Sequence, residues 1–204
     1  MGVLVAVAGV SGVGKTALVR ALANTGQFAT AYEGHAERPF QALFKSDERY
    51  ALANQVDYFL LRAEQERELR ASPLIGLIDG GLDLDFHGFT RLFHKHGLLT
   101  DPELDLCRRL FTLLREALPP PEWIVAMHAP QSVIRQRLAS RNRINIASAD
   151  DAEIMGGFIQ AWLESLPSEH VLHVDATHEG ETYSESVQKI VTWVNSKKRA
   201  ISER

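Results

Sequence analysis

The stretch Val3-Leu-Val-Ala-Val-Ala-Gly9-Val-Ser-Gly-Val-Gly-Lys15-Thr16 decides the fold. An apolar run leads into a segment that fits G-x-x-x-x-G-K-[ST], and a helical pattern over 15–24 follows. A short continuous apolar run is what a strand covered on both faces requires. Glycines at the end of such a strand let backbone N–H groups close on phosphate oxygens, and the helix N-terminus adds the positive end of its dipole. Gly9, Val10, Ser11, Gly12, Val13, Gly14, Lys15 and Thr16 are therefore the candidate nucleotide-binding residues. Lys15 is placed to reach the phosphates of ATP, and Thr16 to hold Mg²⁺. The motif names a donor and leaves the acceptor open.

Four more apolar runs lie downstream: Phe28 to Tyr32, Leu74 to Ile78, Trp123 to Met127 and His170 to Val174. Helical patterns fill the gaps at about 46–70, 85–97, 102–117, 130–140, 149–165 and 181–198. In the first of these, Leu52, Val56, Phe59, Leu60 and Ala63 form the expected core stripe. Thr100-Asp101-Pro102-Glu103 supplies an N-cap with proline at the first helical position. Strand-helix alternation of this kind predicts an α/β three-layer sandwich, a five-stranded parallel sheet with helices on both faces. The expected organisation is one P-loop domain over residues 1–204 with a short lid at about 137–150.

The bulk properties narrow the function. The net charge is −4, and there is no run of like charges. A nucleic-acid-tracking surface needs clustered Lys and Arg, so nucleic acid is not an expected partner. No apolar stretch reaches the length of a membrane span. The single cysteine, Cys107, excludes an internal disulfide framework and suits a reducing, cytoplasmic compartment.

Arg135, Arg137, Arg141 and Arg143 follow the fourth strand, with Arg137 and Arg141 spaced to share a helix face. Arginines on a closing lid neutralise charge on a transferring phosphoryl group; a solvated basic helix face is the plainer alternative. Glu33 stands just past the second apolar run, where open α/β sheets bind ligands, and is a candidate base for an acceptor hydroxyl. Gln55 carries an amide able to read a nucleobase edge. Tyr58 is a candidate lining residue of an acceptor pocket, with core packing as the alternative. Asp79 ends the run Leu74-Ile-Gly-Leu-Ile-Asp79 and is followed by Gly80-Gly81. Asp83 or Asp85 is expected to serve as a helix N-cap, in preference to a cation site formed by the pair.

These residues resemble the deoxynucleoside kinase family, especially its bacterial deoxyguanosine and deoxyadenosine kinase branch. The likeness runs from the phosphate loop to beyond the lid. Its marks are Gly9 to Thr16, Glu33 followed by Arg38-Pro-Phe40, Asn54-Gln-Val-Asp-Tyr-Phe-Leu-Leu-Arg62, and Arg137-Leu-Ala-Ser-Arg141-Asn-Arg143. The resemblance implies phosphorylation of a nucleoside 5′-hydroxyl for nucleotide salvage. It implies Glu33 as the base, Gln55 on the nucleobase, Asp79 near Mg²⁺, and Arg137, Arg141 and Arg143 facing the phosphates. It also implies a homodimer formed through a helix pair.

The chain departs from the family pattern in two places. The family's [DE]-R-S reads Asp79-Gly80-Gly81, so the arginine is missing. No acid follows Arg143 until Asp150, where the family places a glutamate. Arg38, Arg62 or a lid arginine is the expected replacement cation. Arg62 has a rival role as an i, i+4 partner of Glu66. The alternatives to a nucleoside kinase are a kinase of another small hydroxyl compound and a nucleotide binder that no longer transfers phosphate.

Overall fold

A computed structural model describes residues 2–31, 38–139, 149–178 and 182–202. The chain folds as β1 (Leu4–Ala8), α1 (Lys15–Ala23), β2 (Phe28–Ala31), α2 (Pro39–Ser46), α3 (Ala51–Ala71) and β3 (Ile75–Asp79). A helical stretch follows, in three pieces: α4 (Leu82–Leu84), a π-helical turn (Asp85–Thr90) and α5 (Arg91–Lys95). Then come α6 (Asp101–Ala117), β4 (Trp123–His128), α7 (Gln131–Ala139), α8 (Ala149–Glu164), β5 (Val171–Asp175) and α9 (Ser184–Ser202).

The five strands form one parallel sheet in the order β2-β3-β1-β4-β5. All five expected strands are present, and β1 lies at the centre. Every residue of β1 and β3 is buried, which is why both read as unbroken apolar runs. Val5 and Val7 join Leu18, Val19 and Leu22 of α1 and Ile190 and Val194 of α9 in one core. Leu4 and Ala6 point the other way, to Leu69 of α3 and Ile78. A third core under α3, α5 and α6 holds Phe59, Phe93, Leu99 and the buried Cys107.

Charge ties the end of α3 to the N-terminal ends of β1 and β4. Arg70, at the end of α3, donates to Glu122 and to the carbonyls of Pro119 and Pro120. Glu122 in turn accepts from the amide of Leu4 at 2.7 Å. The proline run thus delivers Glu122 to the start of β1, a stiff entry to β4 as its composition predicts.

Three local features differ from the sequence expectation. Residues 39–46 form a helix, started by Pro39 at its first position and by the Gln41 side chain accepting from the Arg38 amide. The region 85–97 is not one regular helix, because a π turn interrupts it. The buried face of α3 is largely polar: Asn54, Gln55, Arg62, Glu66 and Arg70 are all inside, while Leu60 is 47% exposed. That face turns toward the residues after β3, and its side chains build part of the site.

Candidate active site

The C-terminal ends of β1 and β3 lie side by side, with Val7 paired to Asp79. The loop from Gly9 therefore passes next to the Asp79 carboxylate. Thr16 Oγ1, in the first turn of α1, donates to Asp79 Oδ2 at 2.6 Å. Asp79 is 1% exposed, and its other oxygen, Oδ1, has no hydrogen-bond partner among the described residues. An uncompensated carboxylate oxygen at full burial costs free energy that a bound cation recovers. A hydroxyl and a carboxylate are hard oxygen donors of the kind Mg²⁺ takes alongside phosphate oxygens. The pair fits a Mg²⁺ site.

Lys15 Nζ donates to the carbonyls of Gly9 and Val10 at 2.8 and 3.2 Å, which holds the ammonium across the mouth of the loop. Gly14 sits at the helix start with φ 111°, and a Cβ there would come within 2.1 Å of the Tyr183 hydroxyl. Only glycine meets both demands. Tyr183 is 5% exposed and is itself left-handed, at φ 51°. Arg137 donates to Val13 O at 2.9 Å and to Ala176 O at 2.7 Å. Arg137 and Tyr183 thus clamp the phosphate loop to the segment after β5. Arg135 pairs with Asp150 at the surface.

The other face of the site rests on α3 and the turn after β3. Arg62, 2% exposed, donates from Nε to Asp85 at 2.9 Å and from Nη1 to Gln65 at 3.1 Å. Glu66 does not pair with Arg62. It accepts from Arg115 at 2.6 and 3.0 Å and from the amide of Leu82 at 3.0 Å. Arg115 also holds Asp83 at 2.6 Å. Burial raises the Asp83 carboxyl to about 6, against the pull of Arg115 and with the help of Glu66. Asp83 and Asp85 are ion-pair partners of this network rather than helix caps, and the N-cap of α4 is Gly81.

Gly80 and Gly81 take φ 89° and 95°. A Cβ on Gly80 would stand 3.7 Å from Arg62 Nη2. A buried guanidinium therefore lies beside the position where the family pattern carries an arginine side chain. Arg38 does not fill that place; it is committed to a two-pronged pair with Asp57 on α3. Gln55 is buried, with Nε2 3.4 Å from Asp85 O on the π turn. Tyr58, one turn further along α3, is half-buried and interacts with Arg38. Glu33, Arg141 and Arg143 lie outside the described residues.

The structure therefore brings together Gly9 to Thr16, Asp79 and Arg137 around the phosphate loop. It sets Gln55, Arg62 and Asp85 together beside the turn after β3. Sequence reading missed Asp85 as a partner of Arg62 and missed Arg115 altogether. The available signal was the polar stripe at positions 55, 62 and 66 on an otherwise amphipathic helix.

A model of the deoxynucleoside kinase family matches residues 5–198 of this chain. A search of curated proteins returns no match. Among solved structures, a deoxyadenosine kinase from M. mycoides with bound dCTP superposes with a TM-score of 0.77 at 14% identity. That match covers 95% of this chain and 99% of that one. The same enzyme with bound dATP gives a TM-score of 0.77 at 14% identity, over 93% and 99% of the two chains.

Proposed function

The chain belongs to the deoxynucleoside kinase family, so its reaction is phosphorylation of a nucleoside, and on that premise we propose the residues and the donor. The donor is ATP and the metal is Mg²⁺. The amides of Gly9 to Gly14 and the ammonium of Lys15 hold the phosphates. Thr16 and Asp79 hold Mg²⁺, which when bound offsets the charge of the triphosphate oxygens. The observation that carries this reading is the Thr16–Asp79 contact, whose Oδ1 has no partner among the described residues, set between the phosphate loop and β3.

Glu33 takes the proton of the nucleoside 5′-hydroxyl as that oxygen bonds to the γ-phosphorus. The bond from the γ-phosphorus to the β,γ-bridging oxygen breaks, and ADP leaves. Gln55 orients the base. Arg62 lies beside the position where the family's arginine would start, and Arg137 braces the loop from the other side. Arg141 and Arg143 add positive charge from the lid. The functional unit is a homodimer, a reading supported by the exposed Leu106 and Leu113 of α6 and Leu60 of α3. Sedimentation of the parent against a Leu113→Asp variant tests the assembly.

The reaction is tested by ADP release from Mg-ATP with deoxynucleosides, ribonucleosides and nucleoside monophosphates, against an acceptor-free blank. Stimulation by a deoxynucleoside that Glu33→Gln removes is the expected result. A flat panel with intact ATP binding would overturn it.

A further inference from the structure

A cavity of about 800 Å³ lies under α8, between that helix and the sheet. Its floor is Ala126 and His173 on neighbouring strands, with Val171 and Leu166 at one end. The other end reaches Gly9 and Val10 of the phosphate loop. Along its roof, Gly156, Gln160 and Leu163 of α8 recur at helical spacing. A space of this size holds a small organic molecule.

Its described lining is not that of a triphosphate site. Among the described residues no lysine or arginine lines it, whereas Glu153 and Glu164 do, with His128 and His173. Each glutamate is held by a neighbouring amide: Gln131 Nε2 donates to Glu153 at 2.7 Å, and Gln160 Nε2 donates to Glu164 at 2.8 Å. Both glutamates are exposed, at the rim of an apolar interior, and each bond engages one carboxylate oxygen. An anion would meet two like charges here. A cation with an apolar body would meet both things it needs.

Gly156 is a second pointer to open space. It sits in mid-helix with ordinary backbone, where glycine is disfavoured relative to alanine. A Cβ there would make only a 3.6 Å contact with Val10. Neither a turn nor a close approach demands glycine at this position. Its effect is to leave the cavity open against the phosphate loop.

We propose that this cavity is a binding site for a small apolar amine, separate from the donor and acceptor sites. Because Gly9 and Val10 form one of its walls, occupancy there shifts affinity for ATP. Linkage makes the effect reciprocal.

The test uses three matched probes: phenethylamine, phenethyl alcohol and 3-phenylpropionate. Calorimetric titration of the full chain is read together with the Val171 methyl resonances. The amine is expected to bind saturably, about tenfold more tightly than the acid, and to move the Val171 methyls. The combined Glu153→Gln and Glu164→Gln variant should erase the preference for the amine. Gly156→Leu, which fills the space while raising helix propensity, should cut amine affinity about tenfold. Saturating amine should change the ATP dissociation constant about threefold or more. The site is overturned if the amine leaves the Val171 methyls unmoved, if the acid binds as well as the amine, or if Gly156→Leu binds like the parent. Unchanged ATP affinity at saturating amine overturns the coupling.

Discussion

Thr16 and Asp79, 63 residues apart in the chain, are joined by a 2.6 Å hydrogen bond that engages one carboxylate oxygen and leaves the other buried without a partner among the described residues. Asp79→Asn removes an uncompensated buried charge. The metal-free variant should therefore be at least as stable as the parent, while kcat falls by about 10² or more. Mg²⁺ should raise the melting temperature of the parent and not of the variant. A thermal melt of both proteins with and without Mg²⁺, beside their steady-state rates, decides it. Equal stabilisation by Mg²⁺ in both would remove Asp79 from the metal site.

Restoring the family arginine at position 80 should not restore a family-like site. Gly80 and Gly81 both hold left-handed φ values, and a side chain at 80 would start 3.4 Å from Leu84 and 3.7 Å from the Arg62 guanidinium. A non-glycine residue in that region costs about 1–2 kcal/mol. Gly80→Ala should lose about that much in denaturant unfolding. Gly80→Arg should lose more, because it sets a second cation beside Arg62, and its kcat/KM should fall. A Gly80→Arg enzyme faster than the parent would show that the turn adapts and that Arg62 does not occupy the missing group's space.

The frame was legible because its strands are buried on both faces, so Leu4–Ala8 and Ile75–Asp79 announce themselves as apolar runs. The phosphate loop was legible because its glycines and Lys15 are contiguous. The acceptor side was not. Arg62 finds Asp85 across 23 residues and Glu66 finds Arg115 across 49, and no local pattern encodes either pairing. The expected apolar stripe on α3 held at Phe59 and Ala63 and failed at Leu60 for the same reason. Its inner face is held by buried ion pairs, so Leu60 is left outside. The π turn has no local pattern of its own, since Asp85 to Thr90 is only a run of weak helix formers with Gly88 among them. It is Gly88 that lets Met155 of α8 pack against it: a Cβ there would meet Met155 at 2.6 Å.

The Asp83–Arg115–Glu66 cluster predicts a pH dependence of stability. Asp83 is raised from 3.8 to about 6, first by burial. A carboxyl whose folded-state value is raised binds more protons folded than unfolded. Its contribution is fully present below about pH 4 and is lost as pH rises through about 6. Asp83→Asn cannot titrate. The stability of the parent relative to Asp83→Asn should therefore fall between pH 4 and 6.5, by something on the order of 2 kcal/mol, and then level off. Urea unfolding of both proteins across that interval measures it. A difference that rises with pH would mean that Arg115 outweighs burial and holds Asp83 ionised.

Gly14 and Tyr183 give a prediction in which sterics and backbone strain separate. Gly14→Ala places a methyl 2.1 Å from the Tyr183 hydroxyl but 3.3 Å from the ring carbon that bears it. Removing the hydroxyl therefore relieves most of the clash, while the φ of 111° at position 14 stays unfavourable for alanine. Gly14→Ala alone should weaken ATP binding steeply while leaving it measurable at high ATP. Tyr183→Phe alone should bind ATP close to the parent. The double variant should recover part of the loss, with a coupling energy of about 1 kcal/mol or more in the cycle. ATP affinity across the four proteins gives that number directly. Strict additivity would mean that the left-handed backbone alone requires glycine at position 14. Tyr183 would then only fill space behind the loop, and the clamp between the phosphate loop and the segment after β5 would rest on Arg137.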